Sequence, residues 1–417
     1  MDQRAAGSAG LATRKFVALS RDWRDAAHVP RCRRGALIGN RHLTGALETE
    51  RRALIDFPKF LKARRAPATV SRAPGAHTTM RAASASLSLS SRRAPRLSSS
   101  TSLARGPARR AATVPRAMGP PGRPEPRPTL PSGTRLDAHL HVWPSPEDHV
   151  YPSGKEPPAA LARDATPEAL LERCAAANVH GALIVQPINL GFDHAYVADA
   201  VHRHPGRFVG CCLADPTAGG GGADALARLL VPEGPFRAVR FNPGLWPEGE
   251  RMTNPAGRDM FRLAGDRGAP VGFMCFHGLH LHVEDIKDLC AEFPDTPVLI
   301  DHFGFVKGAE DPNWAALLSL AEFPNVSVKA SAHFRVVPEG GERAWPYPST
   351  ATQLRQMVDA FGAERVVWGS DVPYVTAECG YERAAEIVAN CGAALSPEET
   401  EAVMGGTLAR MFPGGWF

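Results

Sequence analysis

The chain has 417 residues, with 48 Lys and Arg against 43 Asp and Glu. That near-balance averages two regions: residues 1–130 hold 26 basic and 7 acidic residues, and residues 131–417 hold 22 basic and 36 acidic. An acidic C-terminal part argues against a nucleic-acid partner, and no stretch approaches the run of about 18 apolar residues that a membrane span requires. The eight cysteines include no C-x-x-C pair, which reads as free thiols in a reducing compartment.

The basic part divides in two. Residues 1–79 read as a basic, low-order extension: short apolar runs such as Phe16-Val17-Ala18-Leu19 are broken by arginine clusters and offer little core. From Met80 the composition turns to Ser, Ala, Arg, Leu and Pro, and no Asp or Glu occurs over 57–124. That acid-free, Ser- and Arg-rich composition is the pattern of an organelle transit peptide, followed by a stiff proline-rich linker at Pro120–Pro128. Residues 80–130 are therefore read as targeting segment plus linker. Chloroplast is the first choice, with mitochondrion or cytoplasm as alternatives, and a basic arm for anionic partners is the competing reading. The expected disordered leader gives way to one folded domain over 131–417.

Within that domain the chain alternates. A strand runs into Asp137-Ala138-His139-Leu140-His141, and a polar loop follows through Trp143 and Tyr151. Thr166-Pro167-Glu168 opens a helix, with Thr as cap and Pro at the first helical position. Strands are expected at 182–185, 208–213, 238–241, 271–276, 298–300, 326–329 and 366–369. Helices are expected at 193–202, up to about 230, 256–267, 283–292, 312–322 and 350–361, and from about 378. A loop carrying His333, Arg335, Trp345 and Tyr347 follows the seventh strand, and Ser396-Pro397-Glu398-Glu399 is a capping box. Eight short apolar strands separated by helices require a parallel sheet covered on both faces. Over about 280 residues this is the count of a closed (β/α)8 TIM barrel. A doubly wound open sheet is the alternative, but the glycines at 219–222 do not form its phosphate-binding turn.

In such a barrel the chemistry collects at the C-terminal strand ends. Side chains two apart on a strand face the same way, so His139 and His141 offer two imidazoles from the first strand. The other ends carry Arg240, His277, His302 and Asp371. Imidazoles with one carboxylate suit a divalent ion, zinc first, with manganese or iron as alternatives. No lysine stands at the fourth strand end, where Arg240 does, so a single ion is expected rather than a pair.

Asp137-Ala138-His139-Leu140-His141, Asp301-His302-Phe303-Gly304 and Gly369-Ser370-Asp371-Val372-Pro373 resemble motifs of the amidohydrolase-related proteins. The nearer subgroup contains dicarboxylate lactonases, sugar lactonases and aminocarboxymuconate-semialdehyde decarboxylase. His204–Gly210, Ala238–Pro243, Asn325–Lys329 and Gly405–Phe412 agree in order, so the resemblance covers about 134–414. It implies His139 and His141 as metal ligands, with His302 as a ligand or a partner of the reacting group. Asp371 would bind the metal weakly or take a proton from the attacking water. Arg240 would grip a substrate carboxylate, or else form a structural ion pair. His277 is expected to fill the fifth-strand ligand position, with His280 and His282 as competitors and Cys275 as core. Trp143, Tyr151, His333, Arg335, Tyr347 and Tyr374 are candidates to line the pocket, substrate-binding above all for Trp143, Arg240, His333, Arg335 and Tyr374.

The expected function is metal-dependent hydrolysis of a small, carboxylated lactone or similar cyclic ester. A non-oxidative decarboxylase on the same scaffold and a non-catalytic binding barrel are the alternatives. The expected partner is a small molecule, with neither nucleic acid nor membrane, and a homodimer is the family-based expectation.

Overall fold

A computed structural model describes residues 130–147, 149–151 and 155–417. The extension, transit peptide and linker expected before residue 130 lie outside the described residues. Eight parallel strands follow one another around a single sheet in chain order. They are β1 (Arg135–Leu140), β2 (Val179–Val185), β3 (Phe208–Leu213), β4 (Phe236–Phe241), β5 (Val271–Phe273), β6 (Val298–Ile300), β7 (Val326–Ser331) and β8 (Val366–Gly369). The covering helices include α1 (Pro167–Ala176), α2 (Ala195–Arg203), α3 (Gly222–Leu229), α4 (Pro255–Asp266), α5 (Val283–Glu292), α6 (Pro312–Ser319) and α7 (Ala351–Phe361), one after each of β1 to β7. After β8 come α8 (Pro397–Glu401) and α9 (Thr407–Met411). Among the described residues no helix is long and apolar enough to cross a membrane.

The helix starts are local chemistry. Thr166, Asn254, Asp311 and Ser396 each accept a hydrogen bond from a first-turn amide, each with Pro at the start of the helix. The capping box at Ser396 and Glu399 forms in both directions.

Alternation along each strand splits the apolar residues into two layers. One face packs under the helices, with Phe241, Val271, Phe273 and Ile300 in a large cluster that includes Phe261 and Leu289. The other face fills the barrel: Val209, Cys211, Ala238, Leu299 and Val367 join Leu408 of α9, Phe412 and Trp416. Two residues further along this inner face the apolar filling stops, and charged side chains take over at Arg240, Asp301 and Lys329.

The ring closes between β1 and the segment just after β8. Asp371 donates its amide to the His139 carbonyl over 2.8 Å, and His141 donates its amide to the Val372 carbonyl over 2.8 Å. Leu140 and Val372 form a parallel bridge there. Closure therefore happens at the strand ends that carry the candidate ligands.

Two differences from the expected elements bear on the site. β5 stops at Phe273 rather than 276: Met274 still donates its amide to the Phe241 carbonyl, but Cys275 enters a turn. The segment after β7 is not all loop, because His333–Val336 makes a helical turn entered through Ala332 in the left-handed region, with φ of 53°.

Candidate active site

His139 on β1, His141 just after it and Asp371 after β8 present their ligating atoms within 4.8 Å of one another, all buried. Asp371 Oδ1 lies 3.9 Å from His139 Nε2, 3.8 Å from His141 Nε2 and 4.0 Å from His302 Nε2. The His302 ring sits 4.3 Å from that of His139, centroid to centroid. Backbone geometry serves this convergence. His302 and Asp371 both adopt left-handed conformations, with φ of 52° and 64°, a region that costs side-chain-bearing residues energy.

Each imidazole has its other nitrogen engaged. His141 Nδ1 is 2.8 Å from the Val185 carbonyl, so Nδ1 carries the hydrogen and Nε2 keeps its lone pair. His302 Nδ1 is 2.8 Å from Ser331 Oγ. His139 Nδ1 lies 3.4 Å from Asp301 Oδ1 and 3.2 Å from Lys329 Nζ. Burial holds all three imidazoles in the neutral form. His141 is lowered to about 3 by burial and then by Arg240. His139 is lowered by burial and then by Lys329, and His302 by burial. Burial raises the Asp371 carboxyl, against the pull of Arg335, which donates its Nε to Asp371 Oδ2 over 2.8 Å.

Neutral imidazole nitrogens and one carboxylate oxygen are a donor set for one divalent ion, zinc before manganese or iron. The spacing suits it: ligands bound at about 2.0–2.2 Å stand about 3–4 Å apart. One adjustment is required, because Arg240 donates from Nη2 to His139 Nε2 over 3.1 Å. Ligation through that nitrogen needs the guanidinium to move aside.

The charged residues of the inner face meet beneath this group. Asp301 is ion-paired to Lys329 at 3.0 Å and to Arg240 at 3.2 Å. Asp301 and Lys329 were not among the residues expected at the site. The signal was available: a lysine inside Val326-Ser327-Val328-Lys329-Ala330-Ser331, a strand buried throughout, needs a counter-charge. Asp137, next to the H-x-H pair, stays out of the site. Its carboxylate accepts from the amides of His139 and Ser370 and from the Tyr381 hydroxyl, tying β1 to β8.

Of the other expected site residues, Arg335 and Tyr374 are close by: the guanidinium lies 4.7 Å from the Tyr374 ring centre and 4.9 Å from that of Phe334. Tyr374 is edge-on to His141 at 6.0 Å and to Trp143 at 5.7 Å. Trp143 is fully buried behind it. Arg240 is ion-paired to Asp301 and reaches the His139 ring. His277 is corrected: it is exposed, on the turn beyond the shortened β5, and does not join the His139–His141–Asp371 group. His280 is exposed and bonds to Asn313, and His282 borders α5. His333 is also corrected. It is buried against Thr350, Phe303 and Tyr347, its Nδ1 2.8 Å from Thr350 Oγ1, as packing rather than pocket wall. Tyr347 is buried with it, and Tyr151 donates its hydroxyl to the Pro144 carbonyl. Cys275 is buried, as expected.

Residues 136–414 match the amidohydrolase family model. The chain belongs to the amidohydrolase family. Among characterised relatives, the L-fucono-1,5-lactonase of Burkholderia ambifaria is 27% identical over 257 residues, which span 57% of this chain and 80% of that protein. Among solved structures, an Acinetobacter baumannii protein described as a probable 2-pyrone-4,6-dicarboxylic acid hydrolase, with citric acid bound, superposes with a TM-score of 0.53 at 22% identity, covering 67% of this chain and 98% of that one. A Burkholderia multivorans amidohydrolase with bound zinc gives a TM-score of 0.52 at 22% identity over the same shares. These likenesses agree with the barrel seen here.

Proposed function

We propose that this amidohydrolase uses a single divalent ion, zinc first, to hydrolyse a small anionic lactone. The observation that carries the reading is one buried carboxylate oxygen, Asp371 Oδ1, within 4.0 Å of three imidazole nitrogens. His139, His141 and Asp371 would hold the ion, with His302 beside them as a further ligand or a partner of the reacting group. When bound, such an ion polarises a carbonyl and acidifies water. The residues do the rest. Asp371, its affinity for protons raised by burial, accepts the proton of the attacking water at Oδ1 and returns it to the ring oxygen as the ester C–O bond breaks, giving a hydroxy acid.

The preference for an anion rests on charge. Arg240, Lys329 and Arg335 outnumber Asp301 and Asp371 around the site, with Glu378 exposed beside Arg335. A bound cation adds to that excess, and a carboxylate on the substrate offsets it. The lactonase relative and the citric acid bound to the Acinetobacter structure are consistent with this class. The proposal includes a homodimer, checked by light scattering. It also includes chloroplast delivery by residues 80–130, checked by fusing residues 1–130 to a fluorescent protein.

The test is acid release from a panel containing L-fucono-1,5-lactone, other sugar lactones and 2-pyrone-4,6-dicarboxylic acid, using zinc-loaded protein and its Asp371→Asn variant. Hydrolysis by the wild type that the variant loses is expected. Zinc-loaded protein that opens none of these rings, or that releases carbon dioxide from aromatic carboxylates instead, overturns the lactone reading.

A further inference from the structure

Beneath the proposed metal ligands lies a buried carboxylate for which that chemistry has no direct use. Asp301 sits at the end of β6, 1% exposed, and Lys329 on β7 is 2% exposed. Two buried cations on one buried carboxylate is a costly arrangement when packing alone is at stake. Its geometry is specific. Asp301 Oδ2 faces Arg240 Nη2 at 3.2 Å. Asp301 Oδ1 faces Lys329 Nζ at 3.0 Å and His139 Nδ1 at 3.4 Å. That oxygen has no hydrogen bond of good geometry in the structure as it stands, so it has capacity for one.

Two donors face the His139 ring, Arg240 Nη2 at 3.1 Å from Nε2 and Lys329 Nζ at 3.2 Å from Nδ1, and a neutral imidazole has a lone pair for only one of them. The guanidinium of Arg240, which only donates, is satisfied when that lone pair stands on Nε2. A neutral imidazole with a lone pair on Nε2 carries its hydrogen on Nδ1. A hydrogen on Nδ1 has Asp301 Oδ1 as acceptor at 3.4 Å, nearer than Asp371 Oδ1 stands to Nε2 at 3.9 Å, and the Lys329 ammonium has Asp301 Oδ1 at 3.0 Å to donate to instead of the ring. Lys329 then serves Asp301, holding the carboxylate from the side opposite Arg240.

We propose that Asp301 is the positioning residue of His139: pinned by Lys329, its Oδ1 accepts the Nδ1 hydrogen and thereby aims the Nε2 lone pair at the metal. Arg240 holds that lone pair until an ion takes its place, so the tautomer is set before the metal arrives. A carboxylate behind a ligating histidine orients the ring and makes it a better donor. The inference rests on the single-metal reading above.

Two measurements on the full chain test it. The first is zinc affinity, by chelator competition, for the wild type and Asp301→Asn. A loss of about 10- to 100-fold is expected, the usual effect of removing such a partner. An unchanged affinity overturns the proposal. Where Asp301→Asn does not fold, Asp301→Asn with Lys329→Met removes the lysine along with its counter-charge, and the same loss is expected. The second is nitrogen NMR of labelled histidines in the metal-free wild type, assigned with His139→Gln. A hydrogen on His139 Nδ1 is expected. A hydrogen on Nε2 in a protein that binds zinc overturns the positioning role alone, whereas a wild type that binds no zinc overturns the metal reading beneath it.

Discussion

The backbone amide of Asp371 donates to the carbonyl of His139 over 2.8 Å. Two side chains proposed to hold one ion therefore belong to residues that are bonded neighbours across the seam where the barrel closes. The same seam carries the Leu140–Val372 bridge and the bond from the His141 amide to the Val372 carbonyl. The site residues lie on the seam that closes the barrel, and the following expectations come from that placement and from the neighbours of the seam.

An ion bound across the seam stabilises the closed barrel by binding the native state alone. Zinc at a hundredfold excess over its dissociation constant adds about 2.7 kcal/mol. Thermal unfolding with and without zinc, and again with His141→Ala, checks this. A zinc-induced rise in Tm that survives His141→Ala would place the ion elsewhere.

Asp371→Asn keeps the size of the side chain and removes its ability to take a proton. Activity is expected to fall about a hundred- to ten-thousandfold, the range for loss of a positioned general base. Steady-state rates on whichever lactone proves active measure it, with circular dichroism confirming the fold. A loss under threefold would remove Asp371 from the chemistry.

His277→Ala is expected to leave zinc affinity and turnover within about twofold of the wild type, because exposed side chains away from the site contribute little. His277 is exposed and outside the ligand group. Loss of bound zinc in this variant, read by elemental analysis, would return His277 to the site.

Gly369 closes β8 directly behind His139. A Cβ there would stand 2.9 Å from His139 Cβ and 3.1 Å from Ser331 Cβ, closer than packed carbons tolerate. Gly369→Ala is expected to cost about 1–3 kcal/mol through overpacking and to weaken zinc binding by displacing the imidazole. Urea unfolding and chelator competition would show both effects, and a variant with neither would mean that the seam yields freely.

His333 gives an acid-side dependence separate from the ligands. Burial lowers it from the model-peptide value of 6.5 to about 3. Its stabilising effect is present in full above pH 6.5 and is lost as pH falls from 6.5 toward 3, because only the unfolded chain takes up the proton in that window. Between pH 7 and pH 5 this amounts to about 2 kcal/mol. His333→Gln, destabilised at both values, should show a correspondingly smaller drop across that interval in urea unfolding. An equal drop would show that His333 is protonated in the folded state.

The local features were legible in order. β3, β6, β8 and α5 fall at the expected residues, and α1 and α8 begin at their Thr166 and Ser396 caps. Strand alternation and cap chemistry depend on residues a few positions apart, so the sequence alone determined them. It determined the H-x-H pair at His139 and His141 for the same reason, and the eightfold alternation of strand and helix led to the barrel.

Tertiary structure decided the rest, because those choices depend on what lies across the ring. The early end of β5 put His277 on the surface, although its distance from the strand looked suitable along the chain. The burial of His333 among Thr350, Phe303 and Tyr347 depends on a helical turn held by residues from elsewhere in the domain. Asp301 and Lys329 are adjacent only because β6 and β7 pair in that register, and Arg240 reaches them from β4. Which residues are available for a site can be read from strand ends, but which of them converge is set by closure of the barrel and by the need of each buried charge for a partner.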